Sequence, residues 1–135
     1  MSRIHRFCGN EDHFDWEYVS SKQYPDGAAK GASGKIMIGN ADGAENFVFR
    51  YFHVEPGGYS TLQDFHAHDH GVMILHGLAL VTIEDNQYEL KPRDIVYISP
   101  WEHHSLAPLG DEPLGFLCVI PNKDMLSKIN KAETK

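Results

Sequence analysis

Residues 56–77 read Pro56-Gly57-Gly58-Tyr59-Ser60-Thr61-Leu62-Gln63-Asp64-Phe65-His66-Ala67-His68-Asp69-His70-Gly71-Val72-Met73-Ile74-Leu75-His76-Gly77. Of the nine histidines in the chain, three alternate here, at His66, His68 and His70. Alternate residues of an extended chain share one face, so three imidazoles converge wherever the strand stays regular. Imidazole is mostly unprotonated near neutral pH and suits borderline divalent ions, so the pattern points to a metal site. A solvated strand face and a metal-free, pH-responsive patch are the plainer readings of the same residues. His76 keeps the parity but immediately precedes Gly77, and reads as a turn or surface residue. His5, His13 and His53 stand alone in the sequence and are read as ordinary side chains.

Outward from this stretch the chain is punctuated like an all-β protein. Runs rich in β-branched and aromatic residues occur at Lys35–Ile38, Asn46–Val54, Gly71–His76, Leu78–Glu84, Asp94–Ile98 and Leu114–Ile120, most of them bounded by Gly, Pro, Asn or Asp. Asp85-Asn86, before the short run Gln87–Leu90, is placed as a tight hairpin turn. Pro25-Asp26-Gly27 and Gly31-Ala32-Ser33-Gly34 read as loop. Met125, Leu126 and Ile129 among lysines give a short C-terminal helix over Lys123 to about Lys131. At 135 residues one core is expected. The division is an N-terminal extension (1–34), a β-barrel (35–121) and a helical tail (122–135).

The stretch beginning at Gly58 resembles the first motif of the cupin superfamily, G-x5-H-x-H-x3-E-x6-G, and lands without a gap on Asp64, His66, His70 and Gly77. The second motif, G-x5-P-x-G-x2-H-x3-N, laid from Arg93, reaches His104. The two motifs span roughly Gly57 to Pro108. The resemblance implies a double-stranded β-helix, or jelly-roll barrel, with one divalent transition metal (Fe, Ni, Mn, Zn or Cu) held inside it. Carried across by position, the ligand places hold Asp64, His66, His70 and His104.

Departures from the pattern shape the ligand set. Asp64 stands at a histidine position, His70 at the glutamate position, and His68 is an additional histidine. The set is read as His66, His68, His70 and His104, with Asp64 as the alternative to His68. Arg93, Ser99, Trp101 and Pro108 replace the glycine, proline, glycine and asparagine of the second motif. His103 competes with His104, and neighbours on a strand point to opposite faces.

The formal charge of −7 argues against nucleic acid, and no run approaches the length needed to span a bilayer. The N-terminus has no signal-peptide core, so a cytoplasmic location is the default. Cys8 and Cys118 are far apart, and Cys118 lies in the apolar run Phe116–Ile120, where it reads as a buried thiol. If the even-numbered face of Phe47–Val54 lines the interior, Arg50 is a cation near the metal, suited to a carboxylate or phosphate. A rim arginine paired with a carboxylate is the plainer reading. The partner expected is a small molecule in the barrel. Two functions stay open: a metal-dependent enzyme, dioxygenase-like or isomerase-like, and a non-catalytic binding module or sensor. By analogy with single-domain cupins, and because strand edges invite pairing, a homodimer is expected.

Overall fold

The structure, a computed structural model, describes residues 2–23, 29–62 and 67–122. Among these residues nine strands are present: β1 (Ser20–Gln23), β2 (Ala29–Ile38), β3 (Phe47–Ser60), β4 (His70–His76), β5 (Ala79–Ile83), β6 (Asn86–Leu90), β7 (Ile95–Ile98), β8 (His104–Pro108) and β9 (Leu114–Pro121). They pair antiparallel in the order β6-β5-β8-β3-β9-β4-β7, with β2 also on β3 and β1 on β2. The fold is an all-β jelly roll, as the strand pattern leads one to expect. The C-terminal helix placed on 123–131 lies outside the described residues.

Strict alternation builds the core. On β9 the even residues Leu114, Phe116, Cys118 and Ile120 are buried, opposite Phe52 and Val54 of β3 and Val72 and Ile74 of β4. Leu106 and Val81 close the far side from β8 and β5. Burying side chains of this size stabilises by about 1.5–3 kcal/mol each, which is what holds the sheet rolled.

Three boundaries depart from the sequence reading. The small residues Gly31 to Gly34 lie within β2, since Ser33 and Gly34 pair with both β1 and β3. Backbone pairing on both sides outweighs their poor strand propensity. Strand pairing thus begins at Ser20, ahead of residue 35. β3 runs on to Ser60 through Pro56, because Glu55–Gly58 bulges out between the paired residues Val54 and Tyr59, where a proline costs no ladder hydrogen bond. The hairpin loop is Glu84-Asp85, one residue earlier than expected, with Ile83 paired to Asn86. Glu84 takes left-handed backbone (φ 52°), its amide donating to the His103 carbonyl at 2.8 Å and its carboxylate accepting from the His103 amide at 3.2 Å.

Candidate metal centre

His70 opens β4 and His104 opens β8, so two strands bring them to the same end of the barrel. Both follow the inward parity of their strands, Val72 and Ile74 on β4 and Leu106 on β8. His70 is 1% exposed and His104 4%, whereas His103 is exposed and points away. Their cross-strand partners are apolar, Ile98 for His70 and Ile83 for His104. The His70 and His104 ring centroids lie 4.9 Å apart, and the half-buried His68 ring also lies 4.9 Å from that of His70.

Two hydrogen bonds set tautomers. His104 Nδ1–H donates to the Glu102 carbonyl at 2.9 Å, and His68 Nδ1–H donates to the Asp69 carbonyl at 3.2 Å. In each neutral ring the lone pair then sits on Nε2, the state that a metal ligand requires, with orientation fixed from behind by a carbonyl. The donor chemistry therefore fits a borderline divalent ion. Among the described residues no group of three or more His, Cys, Asp or Glu is placed to hold a metal ion, so His68, His70 and His104 alone do not make a complete site. His66 and Asp64, the other two candidates, lie outside the described residues.

Arg50 lies on the interior wall and is no rim residue. Its Nη2 donates to Cys118 Sγ at 3.3 Å and its guanidinium lies 4.8 Å from the Phe52 ring centroid. Its Nε is buried without a hydrogen bond, and no ion pair to it forms among the described residues. Arg50 pairs with Cys118 and Cys118 with Val72, one inward residue along β4 from His70. Burial pushes the Cys118 thiol up, with Arg50 pulling the other way, so this is an inert core cysteine.

His76 is neither a turn nor a surface residue. It ends β4 half-buried on the outer face, where its ring meets Tyr51, Phe14 and His53. His53, read as solitary, stands 6.1 Å from His76 by ring centroids. The register that aligns them was the missing signal, since both residues have outer-face neighbours only once β9 lies between β3 and β4.

Residues 50–120 match the family described as Cupin domain. A curated relative, 1-methylthio-D-xylulose 5-phosphate methylsulfurylase of Rhodospirillum rubrum, is 45% identical over 71 residues, covering 53% of this chain and 45% of its own length. An uncharacterized protein of Methanocaldococcus jannaschii is 33% identical over 66 residues, covering 48% of this chain and 53% of its own length. The chain thus spans about half the length of these curated relatives. Among solved structures, a cupin-2 domain of Rhodospirillum rubrum is 32% identical with a TM-score of 0.73, covering 85% of this chain and 77% of that one.

Proposed function

The chain belongs to the cupin domain family, and on that premise we propose that it is a metal-dependent enzyme acting on a small molecule with an anionic group. His66, His68, His70 and His104 would hold one divalent transition metal, which when bound supplies a Lewis acid for a carbonyl or a site for O₂. The observation that carries the reading is the buried His70–His104 pair on the same interior wall as Arg50. Arg50 would bind the phosphate or carboxylate of the substrate, since a guanidinium matches such groups bidentately. The apolar partners Ile83 and Ile98 exclude water from the imidazoles, and the Glu102 carbonyl keeps the His104 lone pair on Nε2. The relative named as a methylsulfurylase carries a 5-phosphate in its name, which favours the phosphate.

Elemental analysis of untagged protein, purified without added metal or chelator, tests the centre. About one equivalent of Fe, Ni, Mn, Zn or Cu per chain is expected, and it is lost in a His66→Ala/His104→Ala variant. Less than about a tenth of an equivalent after reconstitution would sink the reading. Metal that survives Arg50→Met, with phosphate-ester binding lost, assigns Arg50 to the substrate.

We also propose a cytoplasmic homodimer. Among the described residues no helix is long and apolar enough to cross a membrane. The outer face carries exposed Phe47, Val119, Tyr97 and Ile95 on β3, β9 and β7, a strip of the kind that association covers. A monomeric sedimentation coefficient overturns the dimer.

A further inference from the structure

A cavity of about 400 Å³ lies outside the barrel between the N-terminal segment and the outer face of the sheet. Register builds its floor. Ser21, Lys35 and Tyr51 are successive cross-strand partners on β1, β2 and β3, and Ser33 pairs with His53 in the next row. That row continues through Gly115 of β9 to His76 of β4. Gly115 leaves a gap that the His76 ring fills so closely that a Cβ on the glycine would overlap it. His76 Nδ1–H donates to the Pro113 carbonyl at 3.3 Å, and Nε2 accepts the Tyr51 hydroxyl proton at 2.7 Å. Asp12, His13 and Phe14 cover this floor, with the Phe14 ring stacked 5.7 Å from that of Tyr51.

The one lysine in the lining is already engaged, Lys35 Nζ donating to Ser21 Oγ at 3.0 Å and pairing with Asp15 at 3.2 Å. The Tyr51 proton is committed to His76, so the phenol oxygen turns lone pairs to other neighbours. Asp12 and Glu55 add two carboxylates, Glu55 standing 3.6 Å from His53 Nδ1. The lining thus sets two carboxylates, with its lysine already paired to Asp15, beside an aromatic face, in a chain whose net charge is −7. We infer that this outer cavity, formed by Asp12, Phe14, Tyr51, His53 and Glu55, binds a small organic ammonium ion. Its N–H groups meet the carboxylates and the phenol oxygen, and its charge meets the face of Phe14. The volume is at the small end for ligand sites, which selects a compact amine. The site is independent of the centre inside the barrel.

Trp16 reports on it, its ring centroid 5.3 Å from Tyr51 and 6.2 Å from Phe14. The chain has two tryptophans, so Trp101→Phe leaves Trp16 as the only indole, which is excited selectively over the tyrosines. That protein is titrated at pH 8 with n-butylamine and 1,4-diaminobutane, and with 1-butanol and 1,4-butanediol as uncharged counterparts. The expected result is a saturable change in Trp16 fluorescence for at least one amine and none for the alcohols. Removing both exposed carboxylates, in Asp12→Asn/Glu55→Gln, weakens binding by about tenfold or more, and raising the salt weakens it as well. The inference is overturned if neither amine gives a saturable change, if the alcohols match the amines, or if the double variant binds undiminished.

Discussion

Gly77 and Arg93 hold the same left-handed backbone, with φ of 76° and 79°, at opposite edges of the two motifs. At Gly77 the chain turns directly against the β9 side, and a Cβ would overlap the Pro113 carbonyl oxygen. At Arg93 the turn between β6 and β7 is exposed, its amide donating to the Ile74 carbonyl at 2.8 Å. Trp101, at the other glycine position of the second motif, likewise has φ of 66° and is 55% exposed. A left-handed turn alone costs a side chain about 1–2 kcal/mol, which a domain tolerates. Backbone crowding on top of it does not leave that choice. A glycine pattern can therefore fade where the turn faces solvent while the loop shape survives.

The largest expected effect is at Gly77. Gly77→Ala combines backbone strain with a clash against a main-chain atom and should cost about 3 kcal/mol or more in urea unfolding; a loss no greater than that of an ordinary surface change would remove the contrast. Gly115→Ala comes next, at about 2 kcal/mol, because displacing His76 breaks the Tyr51 bond. Unlike Gly77, Gly115 is crowded by a side chain, so adding His76→Ala should recover part of the loss in a double-mutant cycle. Arg93→Gly should raise stability by about 0.5–1 kcal/mol, relief of strain exceeding the added chain entropy.

The smallest effect is one of pH. Burial lowers the His76 pKa against the Pro113 hydrogen bond, so the ring that fills the Gly115 gap stays neutral in the fold. As pH falls below the unfolded value of about 6.5, the unfolded chain takes up a proton that the fold refuses, and stability declines. His5 has the opposite sign. Its hydrogen bond to the Glu17 carbonyl, then that to Asp42, raise its pKa. Its contribution is full below the unfolded value and fades as pH rises through the folded one. In a His5→Gln background the acid-side decline should steepen, and a flat profile between pH 5 and 7 would refute the assignment to His76.

Most strands were readable because their side chains alternate, and alternation needs no knowledge of partners. The inward placement of His70 was readable for the same reason, whereas that of His104 rested on the spacing of the second motif. β8 was not, since Leu106 is flanked by Ser105 and Ala107 and its strand ends in Pro108, too short a run to count alone. Gly31 to Gly34 hid a strand because pairing, rather than side-chain type, makes it one. His53 and His76 are 23 positions apart and meet only across β9. The outer site is thus a property of register. Arg50 had its face readable by parity, but its contact with Cys118 required knowing which residue β9 sets opposite it.

β3 touches more of the molecule than any other strand, pairing with β2, β9 and β8 along its 14 residues. Its first half carries Arg50 on one face and Tyr51 on the other, and its last residue pairs with β8, which carries His104. Amide hydrogens along the β3–β9 ladder should be the last to exchange with deuterated solvent, and those of the path ends β6 and β7 among the first. Both sites are then anchored to the slowest-opening unit of the chain, so transient opening at the edge strands would leave Arg50 and Tyr51 in place.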